Sequence, residues 1–374
     1  MQTNRRNWLK QMGLGTLGLG AARLNGFAAT PSPVDEFRYK SFDDTPVRLS
    51  SNENPYGPSP LARAAMSEHI NASNRYSWEL GPNLIAAIAR KNNLATDHIM
   101  LGAGSTEVLD LASRLAALNK GSFVMSFPAY PYWSATLENL GFKKISIPLT
   151  ADKKNDLPAM LNAIQPDTQL VYLCNPNNPS GTICKHDELV HFVQEASKKA
   201  WVLIDEAYID FTSEPSLSYL VAENKKLVIA RTFSKIYGLA GARVGYAIAN
   251  PATIEQLSRM QSWPNGGISV VSVAAAIASL KDEKFVKETH SLNQEARTYT
   301  IEQMERLQIP CIPSYTNFIY FSLANHQPDF FAQLKQHNIL GTGIYEEQGK
   351  WSRITVGTIP EMQKLISAIG STHS

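Results

Sequence analysis

Five short stretches carry side chains that could do chemistry together. Arg231-Thr232-Phe233-Ser234-Lys235 offers an amine, and Arg243 follows the lysine by eight residues. Asp205-Glu206-Ala207-Tyr208 ends an apolar run from Trp201; a carboxylate at the end of a central strand is costly unless it meets a cation. Gly102-Ala103-Gly104-Ser105-Thr106-Glu107 lies between a short apolar run and a helical pattern. Glycines there let the backbone approach an anion, and the free N–H groups of a helix start can bind a phosphate. No Gly-Lys-Ser/Thr closes the stretch, so it is not a nucleotide P-loop. Ala129-Tyr130-Pro131 places a ring just past an apolar run ending at Phe127. Asn175-Pro176-Asn177-Asn178-Pro179-Ser180-Gly181 has two Asn-Pro steps that force a turn and fix side-chain amides where a ligand oxygen can meet them.

All five fall at the carboxyl ends of predicted strands, where open α/β sheets bind ligands. The glycine loop, a hydroxyl and Arg243 suit a phosphate. Tyr130 can cover a flat ring, Asp205 can pair with a ring nitrogen, and Lys235 can condense with an aldehyde. Pyridoxal 5'-phosphate has all four features.

The positioning elements follow from periodicity. Apolar residues at helical spacing predict helices over 61–70, 84–92, 106–118, 132–140, 158–164 and 187–199. Between and after them, strands are expected at 99–101, 123–127, 144–147, 170–174, 201–205, 226–233 and 243–249. Leu170-Val171-Tyr172-Leu173, Val202-Leu203-Ile204 and Leu227-Val228-Ile229-Ala230 lack polar alternation, as strands covered on both faces do. The expected fold is therefore α/β: a mostly parallel, doubly wound sheet domain over 71–264. A long helix near 281–307, strands at 318–323 and 353–356 and a last helix from Pro360 predict a smaller α+β domain, formed by 265–374 with the segment 47–70.

Composition narrows the remaining classes. The chain has 374 residues, 44% hydrophobic and 18% charged, which suits a folded core and excludes a disordered scaffold. Its net charge of +2 is owed to residues 1–34, which hold Arg5, Arg6, Lys10 and Arg23 and no acid. No nucleic-acid footprint is expected. Cys174, Cys184 and Cys311 have no metal-ligand spacing, the histidines show no pairing, and no metal is expected. Residues 1–29 look like a twin-arginine export signal: Arg5-Arg6, Trp8, Leu9 and Lys10, the apolar run Met12 to Ala22, and a cleavage site after Ala28. The run is about half of what spans a bilayer, so no stable membrane anchor is expected. Its Gly13-Leu14-Gly15-Thr16-Leu17-Gly18 has dinucleotide-binding spacing but no preceding strand, and carries no weight. Residues 30–46 read as a linker, and the mature protein is expected in the periplasm or otherwise outside the cytoplasm, with a cytoplasmic location as the alternative.

With these runs in place, the sequence resembles the fold-type I, class I/II pyridoxal-phosphate aminotransferases, and among them the histidinol-phosphate aminotransferase family. The resemblance rests on Ser51-Asn52-Glu53-Asn54-Pro55-Tyr56-Gly57-Pro58-Ser59-Pro60, the glycine loop, Asn175–Gly181, Asp205–Tyr208, Arg231–Lys235 and Arg353-Ile354-Thr355-Val356-Gly357-Thr358. It implies Lys235 as the amine that carries the cofactor aldehyde, Asp205 as partner of the ring nitrogen, and Asn178 and Tyr208 at the phenolic oxygen. Ala103, Gly104, Ser105, Thr232, Ser234 and Arg243 would surround the phosphate, with Tyr130 over the ring. Arg353 would grip the substrate carboxylate, with Asn54, Tyr130 and Asn178 beside it. Tyr76 would reach the phosphate in a neighbouring subunit, which implies a homodimer. The family usually shows an arginine where Thr342 stands, and Glu346 and Glu347 follow it. Tyr76 is followed by Ser77-Trp78-Glu79 rather than proline and aspartate. The resemblance implies transamination between an amino acid, histidinol-phosphate-like or another amino donor, and a 2-oxo acid such as 2-oxoglutarate; the departures point to an amino acid other than histidinol phosphate, with a polar or cationic side chain. A decarboxylase or lyase of the same fold is the alternative, and a non-catalytic periplasmic binder a more remote one.

Overall fold

The computed structural model of the protein describes residues 46–326 and 329–370. The stretch 1–29, expected from sequence to be an export signal, and nearly all of the segment read as a linker lie outside these described residues. Seven strands form the large sheet: β1 (Ile99–Gly102), β2 (Ser122–Phe127), β3 (Lys143–Pro148), β4 (Thr168–Cys174), β5 (Trp201–Asp205), β6 (Leu227–Thr232) and β7 (Gly245–Ala249). Their order is β1-β7-β6-β5-β4-β2-β3. The pairs β3/β2, β2/β4, β4/β5 and β5/β6 are parallel, and β7 runs antiparallel to both β6 and β1.

The unbroken apolar runs explain the sheet's central position. Along β4, Val171 and Leu173 join one apolar cluster while Leu170, Tyr172 and Cys174 join the other. Val202, Ile204 and Ile229 face the first side, and Leu203, Val228 and Ala230 the second. Helices His186–Ser197 and Leu80–Lys91 cover one face, and Ser105–Ala116 and Pro251–Met260 the other. Several helices start on a side-chain cap followed by proline. Ser59 accepts from Ala62 N–H ahead of Pro60–His69, and Asn250 accepts from Ala252 N–H ahead of Pro251–Met260.

A second, antiparallel sheet has the order β10-β11-β9-β8, made of β8 (Cys311–Ile312), β9 (Phe318–Ser322), β10 (Ile344–Glu346) and β11 (Trp351–Thr355). Ile319, Phe321 and Ile354 pack on the helices Glu283–Arg306 and Ile359–Gly370 through Ala296, Met304, Met362 and Leu365. Leu49 joins this cluster because Val47–Arg48 pairs in parallel with Ile339–Leu340. The architecture is thus the expected doubly wound α/β layer with a smaller α+β unit.

The core divides differently from the sequence-based boundaries. Helices Pro60–His69 and Val270–Lys281, grouped by sequence with the smaller unit, place Ala62, Val273, Ala275 and Ala276 in the cluster of the large sheet. Among the described residues, no helix is long and apolar enough to cross a membrane.

Candidate active site

A cleft of about 450 Å³ opens at the carboxyl ends of the large sheet's strands, walled on its other side by β10, β11 and the segment Ser50–Glu53. Strand β5 ends at Asp205, β6 leads through Thr232 and Ser234 to Lys235, and the turn after β4 supplies Asn178. Strand β11 contributes Arg353 across from them.

Lys235 is half-buried and donates from Nζ to the carbonyls of Ser51 and Asn52, each at 3.3 Å. Its amine lies 5.6 Å from the centre of the Tyr208 ring. Burial, aided by the repelling cations Arg353 and Arg243, brings it down to about 8 against the pull of Asp205 and Glu53. An amine poised there is a competent nucleophile and proton acceptor near neutral pH.

Asp205 is 3% exposed, and burial lifts its carboxyl to about 6. The Ala207 N–H, the Tyr172 hydroxyl and Lys235 oppose that rise. Ala207 N–H donates to Oδ1 at 3.1 Å and Tyr172 OH donates to Oδ2 at 3.1 Å, which fixes the carboxylate plane. Such a group is matched to a cationic ring nitrogen, whose charge would restore its ionised form.

The Tyr208 hydroxyl receives Asn52 Nδ2 at 2.9 Å and Asn178 Nδ2 at 3.4 Å, and its ring stands edge-on to Phe318. Burial pushes this phenol up, so it stays protonated. Asn178 Oδ1 accepts from Arg353 Nη1 at 2.6 Å, and Arg353 Nη2 donates to Ser50 O at 2.6 Å. The Arg353 guanidinium carbon lies 5.3 Å from the centre of the Phe318 ring and 5.5 Å from that of Tyr345. Its buried Nε has no hydrogen-bond partner.

At the phosphate-sized end, Ser105 and Thr106 open the helix Ser105–Ala116 and line the cleft. Arg243 sits in the left-handed region at φ 54° and reaches Ser234 Oγ at 3.5 Å and Ala103 O at 3.4 Å. Thr232 Oγ1 donates to Ser234 Oγ at 2.9 Å. Gly104 has φ +81°, which strains any other residue, and a Cβ there would meet the Arg243 guanidinium where it now lies. Tyr130, half-buried, lines the cleft and stands edge-on to Tyr132.

Three expectations need correction. Ala103 does not offer its amide to a ligand, because that N–H donates to Glu107 Oε2 at 2.6 Å; Gly104 N–H likewise goes to Gly102 O. Both shape the loop, while Ser105 and Thr106 face the cleft. Asn54 is not among the lining residues: its Nδ2 donates to Ile236 O at 2.8 Å and its Oδ1 receives Tyr56 N–H, so it braces the loop after Lys235. Glu346 does not oppose a substrate anion, since it is paired with Lys153 at 2.9 Å and receives Tyr320 OH at 2.7 Å. Tyr76 lies in a separate hollow beside Trp78 and Trp263, 66% exposed. Asn52 and Tyr172, both buried, hold site groups that sequence reasoning did not single out.

The donor set fits pyridoxal phosphate: a helix start with a guanidinium and hydroxyls, an amine of lowered pKa, a buried carboxylate, and an amide with a phenol. Fold and site together define an aminotransferase of fold type I. The chain belongs to the class I and II aminotransferases, whose family model matches residues 44–369. It is 34% identical over 345 residues to the histidinol-phosphate aminotransferase of Moorella thermoacetica, covering 90% of this chain and 88% of that one. The crystal structure of histidinol-phosphate aminotransferase from Sinorhizobium meliloti in complex with pyridoxal-5'-phosphate superposes with a TM-score of 0.80 at 27% identity, over 87% of this chain and 91% of that one. L-threonine-O-3-phosphate decarboxylase from Porphyromonas gingivalis shares the fold, with a TM-score of 0.75 at 20% identity over 87% of this chain and 98% of that one.

Proposed function

We propose that this aminotransferase uses pyridoxal 5'-phosphate to move an amino group from an amino donor to a 2-oxo acid such as 2-oxoglutarate. The observation that carries the reading is the shared cleft of Lys235 and Asp205, an amine lowered to about 8 facing the same space as a buried carboxylate. When bound, the cofactor supplies an aldehyde that takes up the amino group and a protonated ring that draws electrons from the carbon losing its proton.

Each residue's part follows from its surroundings. Lys235 would hold the cofactor's aldehyde, and its Nζ, when free, would be placed to take the α-proton and to return it. Asp205 keeps the ring nitrogen protonated, and Tyr172 and Ala207 keep that carboxylate ionised and oriented. Asn178 and Tyr208 donate toward the phenolic oxygen. Ser105, Thr106, Ser234 and Arg243 hold the phosphate, and Arg353 pairs its fork with the substrate carboxylate.

The quaternary reading is a homodimer in which Tyr76 serves the neighbouring site. Its support is an exposed aromatic group: Tyr76 lies 5.5 Å from Trp78 and 5.2 Å from Trp263, and each ring is at least 43% exposed. Residues 1–29 are read as the export signal; loss of export on Arg5→Lys with Arg6→Lys, followed by cell fractionation, tests it.

Borohydride reduction of the holoenzyme, followed by peptide mass spectrometry, is expected to label Lys235. A label on another residue, or none, overturns the reading. Carbon dioxide release without amino-group transfer to 2-oxoglutarate would instead favour the decarboxylase of this fold.

A further inference from the structure

Resting on the aminotransferase reading, an ion pair outside the cleft fixes part of the cleft wall. We propose that Lys153 and Glu346 are positioning residues for substrate recognition: their pair locks a β-bulge that turns Tyr345 into the cleft.

Strand β10 does not pair regularly with β11. Ile344 faces Ser352 and Glu346 faces Trp351, so Tyr345 is an extra residue with no partner of its own. A bulge of this kind breaks the alternation of side chains and re-aims the residue it inserts. In a regular strand, Tyr345 and Glu346 would point to opposite faces. Here both reach Tyr320: the Tyr345 ring stands edge-on to it with centres 6.3 Å apart, and Glu346 Oε1 accepts its hydroxyl at 2.7 Å. Tyr345 lines the cleft, its ring centre 5.5 Å from the Arg353 guanidinium carbon. Its hydroxyl has no hydrogen-bond partner among the described residues and is available to a polar group of the substrate.

The anchor of the bulge comes from the large unit. Lys153, in the turn after β3, donates from Nζ to Glu346 Oε1 at 3.0 Å and Oε2 at 2.9 Å, and its amine lies 4.7 Å from the centre of a Trp351 ring. Trp351 stacks on Tyr320 at 5.3 Å, so the carboxylate, the amine and both rings form one packed group at the bulge. The Lys153 and Glu346 side chains are 15% and 21% exposed, and a pair so covered is little screened. Lys153 is also tied to the cofactor side of the cleft. Its carbonyl accepts Thr182 Oγ1 at 2.7 Å, and the Thr182 carbonyl accepts Asn177 N–H at 2.9 Å, in the turn that carries Asn178. Its backbone sits in the left-handed region at φ 61°, where glycine or asparagine is easier. The turn itself therefore gains nothing from a lysine; the bulge gains its anchor.

The test uses the holoenzyme with 2-oxoglutarate as acceptor. The donor is whichever of the common L-amino acids and L-histidinol phosphate turns over fastest. Lys153→Asn suits the left-handed turn and Glu346→Gln keeps an acceptor for Tyr320, so both remove the pair with little other change. Each is expected to raise KM for donor and acceptor by about tenfold with kcat within about threefold, the mark of lost binding rather than lost chemistry. Lys153→Arg keeps a bidentate partner for the carboxylate and is expected to stay within about threefold of wild type in both constants. Tyr345→Ala is expected to raise KM by a similar factor, and adding Glu346→Gln to it brings no further rise, because both act through one ring. A KM raised by less than about threefold in Lys153→Asn or Glu346→Gln overturns the proposal, as do additive losses in the double variant. A lowered melting temperature with unmoved KM also overturns it, since a pair that merely ties the two sheets together gives that result. Absence of the Lys235 label in the wild-type protein is the separate failure of the aminotransferase reading.

Discussion

The Tyr172 hydroxyl donates to Oδ2 of Asp205 across 3.1 Å, and the Tyr172 ring is packed 4.5 Å from that of Trp133. Tyr172 is 1% exposed, so this donor cannot be replaced by solvent. It acts on the cofactor only through Asp205 and is a positioning residue. Tyr172→Phe removes a hydrogen bond to the charged carboxylate, so the Asp205 pKa rises. Activity falls as Asp205 is protonated, and the acid limb of the kcat/KM profile is expected to move to higher pH, with about a tenfold loss at pH 6. An acid limb unchanged in a pH-rate series would remove Tyr172 from this role.

Asp205 also has a stability cost in the cofactor-free protein. Its folded pKa, about 6, lies above the ordinary value of 3.8. For a raised pKa, folding is relatively favoured below the unfolded value and loses stability as pH climbs through the folded one. Above pH 6, Asp205→Asn is therefore expected to stabilise the apoprotein by up to about 3 kcal/mol while abolishing transamination. The gain should vanish below about pH 4. Apoprotein melting temperatures at pH 4 and pH 8 check this, and equal shifts at both would contradict it.

Arg353 holds Asn178 at 2.6 Å as well as facing the substrate, so its replacement has two effects. Arg353→Lys keeps the charge but loses the planar fork, and kcat/KM for 2-oxoglutarate is expected to fall by about a hundredfold, mostly through KM. Steady-state kinetics with a series of acceptors would show it. A variant whose KM stays at the wild-type value would place the carboxylate elsewhere.

Gly104 tests the phosphate end. A Cβ at this position meets Arg243 Nη2 at 2.2 Å, with φ +81° already unfavourable to other residues. Gly104→Ala is expected to weaken cofactor retention by about tenfold or more, while Gly141→Ala, also at positive φ but with nothing within 4 Å, leaves it unchanged. Cofactor titration followed by absorbance distinguishes them; equal retention in both variants would detach Arg243 from the phosphate.

Lys235, Asp205, Tyr208 and Asn178 are legible in sequence because each follows an apolar run whose strand character is plain. Tyr172 was not, since a tyrosine inside a buried strand reads as core, and only the neighbouring end of β5 turns it into a donor. The choice between Asn52 and Asn54 was equally closed to sequence. Asn52 adopts φ 53° and turns its amide to Tyr208, while Asn54 turns its own to Ile236 O. The helix Val270–Lys281 escaped because apolar residues nearly surround it, which removes the helical period that marks an amphipathic element. Arg243 was assigned to a strand, yet it occupies a left-handed turn that aims it back at the glycine loop.

By itself the sequence determined the strands, the turns that end them and the chemical types those turns carry, because these depend on neighbours a few residues apart. The tertiary structure decided which polar groups converge. Asn52 meets Thr355 from 303 positions away, and Arg353 meets Asn178 from 175. Pairings at such separations depend on how two sheets stack, and no local pattern encodes that.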